Sequence, residues 1–123
     1  MRTKGQLEAE ISDAITKFER EYMGRGPADA RTYLVEDMVI VRLRGVLTPA
    51  EQQLAKAEDP ARGRRLVKEM RDELLESARV LLEAVIKDLT GCEVISMHTD
   101  ISTTLGERLI VFVLDRKPLG NRE

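Results

Sequence analysis

CEVISMHTDISTTLGERLIVFVLDR, residues 92–116, reads as two strands around a loop near Thr103 to Gly106. Side chains on a strand alternate between its two faces. Val94, Ser96, His98, Asp100 and Ser102 therefore fall on one face of the first strand, and Ile95, Met97, Thr99 and Ile101 on the other. HTDIST, residues 98–103, is on this reading the polar face of a half-buried strand, with Asp100 near enough to hold the His98 ring. In the second strand Leu109, Val111 and Val113 point one way and Ile110, Phe112 and Leu114 the other, so both faces want cover.

A matching pair lies upstream. RTYLVEDMVIVRLRGVL is dense in β-branched and apolar residues and is interrupted at Glu36-Asp37, which predicts a tight hairpin, Arg31 to Val35 and Met38 to Leu43. Helices fill the remaining chain. From Gln6 to Met23 the residues Leu7, Ile11, Ile15, Phe18 and Tyr22 recur at three or four, and Gly24-Arg25-Gly26-Pro27 stops the helix. Thr48-Pro49-Ala50-Glu51 has the cap, the proline and the reaching glutamate of a helix start. Asp59-Pro60 starts another, whose apolar positions run from Leu66 to Leu89 before Thr90-Gly91. The order α-β-β-α-α-β-β predicts an α+β fold, a four-stranded antiparallel sheet with helices packed on one face, as a single domain over residues 1–123.

A length argument bears on assembly. A helix from Pro60 to Leu89 is roughly 45 Å long, and a seven-residue strand spans only about 23 Å. Either the helix breaks near Gly63, or its surplus apolar stripe, widest at Leu81, Leu82, Val85 and Ile86, packs on another chain. The stripe and the two-sided last strand together favour a homodimer.

Composition limits function. Twenty basic residues stand against twenty-two acidic ones, a net charge of −2, so no global field recruits nucleic acid. Two Phe, two Tyr and no Trp leave little for stacking bases. Cys92 is the single cysteine, which excludes an internal disulfide and favours a reducing, cytoplasmic location. The N-terminal stretch has no signal-peptide core, and no run approaches the ~18 apolar residues of a membrane span.

Two local constellations are candidates for a site. Ser96, His98 and Asp100 could suggest a nucleophilic triad, but residues two apart on a strand are ~6.6 Å apart at the backbone. No nucleophile elbow of the G-x-S-x-G kind accompanies them. One His and one Cys six residues apart make a poor metal set, unless a dimer axis were to pair two His98 with two Asp100. No cofactor is expected.

The second constellation is Arg62, Arg64, Arg65, Lys68 and Arg71 in the first turns of the long helix, where cations oppose the helix dipole. A bound anion would compensate them, and Arg42 and Arg44 could extend the patch. The blander reading pairs Arg65 with Glu69 and Lys68 with Asp72 as ordinary surface contacts. Gly24-Arg25-Gly26-Pro27 lacks the lysine and the preceding strand of a phosphate loop, so it is a helix stop.

Four stretches carry a family resemblance: Phe18-Glu19-Arg20-Glu21-Tyr22, Gly24-Arg25-Gly26-Pro27, Arg42-Leu43-Arg44-Gly45-Val46-Leu47-Thr48 and His98-Thr99-Asp100-Ile101-Ser102. With them the chain resembles, over nearly its whole length, a bacterial family named for MpsC, a component of a sodium-translocating membrane-potential-generating system and formerly a domain of unknown function. The resemblance implies an accessory role beside a membrane system linked to cation translocation and inorganic-carbon supply, and no catalytic residues. The expected function is thus a non-enzymatic, cytoplasmic, dimeric accessory domain that binds a protein of a membrane complex, and a small anion, without inserting in the membrane. His98, Asp100, Ser102, Arg42, Arg44, Arg62 and Arg65 are the residues expected to make such contacts. A nucleic-acid-binding module is the alternative, and a small enzyme using His98 and Asp100 ranks third.

Overall fold

The computed structural model describes residues 2–118. Eight elements follow in order: α1 (Lys4–Met23), β1 (Asp29–Val35), β2 (Met38–Arg44), α2 (Pro49–Ala55), α3 (Pro60–Ser77), α4 (Arg79–Thr90), β3 (Val94–Ser102) and β4 (Glu107–Leu114). The strands form one antiparallel sheet in the order β1-β2-β4-β3. Helices followed by hairpins give the α+β architecture that the hydrophobic pattern predicts.

Local chemistry sets the element ends. Thr3 and Gln6 form a reciprocal capping box at α1, and Thr48 and Glu51 form one at α2. Asp59 accepts the Arg62 amide at the start of α3. Gly24 and Gly91 close α1 and α4 in the left-handed conformation that glycine adopts without a Cβ penalty. The hairpin turns at Glu36-Asp37, where Glu36 takes a φ of 54° and so carries local strain.

One face of the sheet is the core. Leu7, Ile11, Ile15 and Phe18 of α1 and Leu82 and Ile86 of α4 are buried together with Leu34, Val39, Val41, Leu43, Ile110, Phe112, Met97 and Ile101. Each such aliphatic side chain contributes about 1.5–3 kcal/mol by leaving water. The spacing of Tyr22 predicts a place on the apolar face of α1, but it is 45% exposed and stacks on Phe18 at 4.7 Å.

Two further details differ from the sequence reading. A bulge between Val94 and Ser96 shifts the parity of β3, so Val94 packs against the core and Ile95 is 65% exposed, the reverse of simple alternation. The long helix also breaks, at Ala78 and not near Gly63. Ala78 has φ −98° and ψ 4°, is buried, and donates its amide to Leu74 and Leu75. The break lets α3 bury Val67 and Leu75 while α4 turns Leu82 and Ile86 inward. The overhang of a single rod is therefore taken up within the chain, and the case for a second copy rests on the sheet.

Candidate functional site

The other sheet face carries no helix among the described residues. Strand register lays its side chains in four rows. From the turn of the first hairpin these are Val35, Met38, Val113 and Ser96; Tyr33, Ile40, Val111 and His98; Arg31, Arg42, Leu109 and Asp100; and Asp29, Arg44, Glu107 and Ser102. Two rows are largely apolar and two largely charged. Tyr33, Val35 and Leu109 on this face are each more than 40% exposed.

Five expected site residues, Arg42, Arg44, His98, Asp100 and Ser102, share this face, but their partners differ from expectation. The His98 ring meets Ser96 Oγ at 3.2 Å through Nε2. Asp100 instead accepts from Lys68 Nζ at 2.8 Å and from the Ile101 amide at 2.9 Å, so it does not orient the histidine. Those two bonds, the lysine first, hold the Asp100 carboxyl below the ordinary carboxylate range. Ser102 Oγ accepts the Leu105 amide and braces the β3–β4 loop. Arg42 Nε meets Glu107 Oε2 at 2.7 Å, and Arg44 Nε lies 3.8 Å from the same oxygen. A serine and a base are in contact here, without the acid that would fix the tautomer. Among the described residues no three His, Cys, Asp or Glu side chains come together as a metal set.

The basic run on α3 is divided. Arg62 and Arg65 are exposed on the helix surface. Lys68 reaches Asp100 on β3, not Asp72 as the helical spacing suggested. The cap position is held by the Asp59 carboxylate, which already satisfies the amide an anion would take. Arg71 is no surface cation at all: it is 1% exposed.

Arg71 is the centre of a buried ionic joint. Its Nε and Nη2 bind the Glu51 carboxylate at 2.7 and 2.6 Å, Nη2 also donates to the Val46 carbonyl at 2.6 Å, and Nη1 lies 3.3 Å from Glu19 Oε1. One side chain thereby ties α1, α2, α3 and the segment after β2. Arg25 donates to the Leu47 carbonyl beside it, so GRGP and RLRGVLT, two stretches that carry the family resemblance, meet at this joint. Burial pushes Glu19 up despite the attraction of Arg71 and Arg108. Glu51 is also penalised by burial, but bonds from Arg71 and Thr48 outweigh it and its carboxyl is held down.

Arg108 is also fully buried, and burial lowers its pKa. Its Nη1 donates to Thr99 Oγ1 at 2.7 Å, whereas its Nε and Nη2, like Glu19 Oε2, have no partner within the described chain.

Sequence reasoning missed this joint although a signal existed. Arg71 continues the four-residue spacing of Gly63 and Val67 toward Leu75, Glu19 continues that of Leu7, Ile11 and Ile15, and Arg108 alternates with Ile110, Phe112 and Leu114. A charge in an apolar period is a sign of a buried pair.

A cleft of about 380 Å³ opens at the end of the sheet, lined by Leu47, Lys56, Arg64, Thr103, Thr104 and Leu105 among others. Of the basic run that the sequence offers as an anion site, only Arg64 lines it.

Comparison with known proteins places the chain in context. A family model described as "Na+-translocating membrane potential-generating system (MpsC)" matches residues 3–116. The uncharacterized protein YbcI of Bacillus subtilis is 42% identical over 113 residues, covering 92% of this chain and 89% of that protein. A second Bacillus subtilis protein, the uncharacterized YrhF, is 31% identical over 110 residues, covering 88% and 87%. No solved structure matches.

Proposed function

The chain belongs to the MpsC family, and on that premise we propose that it is a non-enzymatic, cytoplasmic accessory or regulatory domain, dimeric, which acts by contact with a protein of a cation-translocating membrane system. The observation that carries this reading is the sheet face with two apolar and two charged rows, a surface suited to protein contact over which no helix of the described residues lies. No helix among the described residues is long and apolar enough to cross a membrane, so work at a membrane would run through such contacts. For a small anion, the cleft beside Lys56, Arg64 and the hydroxyls of Thr103 and Thr104 is better built than the surface around Arg62 and Arg65, since Asp59 fills the helix cap.

Flotation with reconstituted vesicles tests the reading. The protein should float with vesicles that carry the membrane components of the translocating system and stay behind with bare ones. Equal behaviour with both, or ester or phosphoester turnover that Ser96→Ala and His98→Ala abolish, would overturn it.

A nucleic-acid platform is the second reading, favoured by Tyr33 beside Arg31, Arg42 and Arg44 on the open face. Two of those arginines already lie against Glu107, and Tyr33 is the only aromatic among the described residues of that face. A steep loss of RNA affinity with salt would support this reading.

A further inference from the structure

We propose that the open sheet face is closed by the same face of a second copy, about a two-fold axis running along the strands between β2 and β4. This rests on the dimeric part of the function proposed above and gives that dimer its geometry.

Such an axis keeps the rows and reverses the strand order, so β1 lies over the partner's β3 and β2 over the partner's β4. The apolar rows then meet each other: Met38 faces the partner's Val113, and Ile40 the partner's Val111. The charged rows meet with opposite signs, Arg31 facing the partner's Asp100 and Arg44 the partner's Glu107. Tyr33 covers the partner's His98, and the Arg42 stem lies on the partner's Leu109. Every contact occurs twice, as an isologous interface requires.

An axis across the strands would reverse the rows, setting Val35, Met38 and Val113 on Asp29, Arg44 and Glu107, apolar against charge. The sheet therefore selects one of the two face-to-face symmetries. The area suffices as well: four strands ~4.8 Å apart and seven residues long present about 440 Å² each in flat projection. Two copies hide roughly 900 Å² in projection and more as side-chain surface, against the ~1,000 Å² that marks a specific interface. Aligned sheets pack about 10 Å apart and cross near 30°, within reach of arginine and aspartate side chains.

Sedimentation over about 1–100 µM tests it. The wild type should be a dimer, Ile40→Lys at the centre of the face a monomer, and Leu81→Lys on the exposed surface of α4 still a dimer. The axis is read from exposed charges, with Asp100→Asn as the control for the Lys68 bridge that Asp100→Arg also removes. Arg31→Glu alone sets acid against acid, and Asp100→Arg alone sets base against base, so each should weaken the dimer about tenfold. An equimolar mixture should regain wild-type affinity as a heterodimer, because both contacts are then opposite in sign. A monomeric wild type would overturn the dimer itself. A dimer indifferent to Ile40→Lys, joined through a strand edge or through α3 and α4, would overturn the face. A mixture no tighter than its components would overturn the axis. None of these outcomes touches the vesicle result, so failure of the membrane role is read separately.

Discussion

Arg71 holds more of the chain together than any other polar side chain described, because its partners come from three separate segments. Arg71→Met would leave Glu19 and Glu51 buried without their cation. The expected loss is about 3–5 kcal/mol, a large part of a domain's stability, to be measured by urea unfolding. The two carboxylates should respond to pH in opposite senses. The folded pKa of Glu19 is raised, so the native chain binds its proton more readily than the unfolded chain, and stability contributed through Glu19 falls as pH rises from the ordinary carboxylate range to the raised value. Glu51 is lowered, so its contribution is present above the ordinary range and is lost as pH falls through the lowered value. The two effects therefore fall on opposite sides of the ordinary carboxylate value of 4.5: as pH rises above it Glu19→Gln should gain on the wild type, and as pH falls below it Glu51→Gln should gain on the wild type. Denaturant titrations in which either variant keeps a constant difference from the wild type on its side of that value would refute the assignment. These residues were visible in the sequence as charges inside apolar periods, but their pairing was not, because Glu19 and Arg71 are 52 positions apart.

Between elements, α2 and α3 approach closely at Gly63. A Cβ built on Gly63 would stand 1.9 Å from the Leu54 carbonyl oxygen, a backbone atom that cannot swing aside. Gly63→Ala should therefore push the two helices apart and destabilise by about 1–3 kcal/mol. Gly5 in the first turn of α1 has nothing within 4 Å of the same point, so Gly5→Ala should be neutral or stabilising by up to about 1 kcal/mol. Thermal unfolding of the two variants separates crowding from glycine flexibility. The starts of α2 and α3 were legible, since caps are local: Thr48 to Glu51 and Asp59-Pro60 act as their spacing says, whereas the capping box of Thr3 and Gln6 starts α1 two residues before the Gln6 of the sequence reading. The break at Ala78 was not, because nothing in Ser77-Ala78-Arg79 disfavours a helix. The bend comes from two stripes that must each reach the core.

At the scale of the molecule, the described residues close the sheet on its helix side and leave the other face open, with β2 and β4 paired on both edges and β1 and β3 on one. Hydrogen exchange should be slowest at the amides of Val39 to Leu43 and Ile110 to Phe112. Edge-strand amides of β1 and β3 without a sheet partner should exchange sooner by orders of magnitude. Uniform protection over all four strands would mean that the edges are covered by another chain. The class of fold, the antiparallel pairing and most of the core were determined by the sequence alone, because periods of two and of three to four residues, caps and turn glycines act over a few positions. The polar face holding His98, Asp100, Arg42 and Arg44 was legible strand by strand for the same reason. Only the tertiary structure decided that Asp100 serves Lys68 and not His98, that Arg71 is buried, and that the four strands assemble their rows into one open surface. Those outcomes depend on which distant segments become neighbours, and the energy of a charge is set by that neighbourhood, not by its place in the chain.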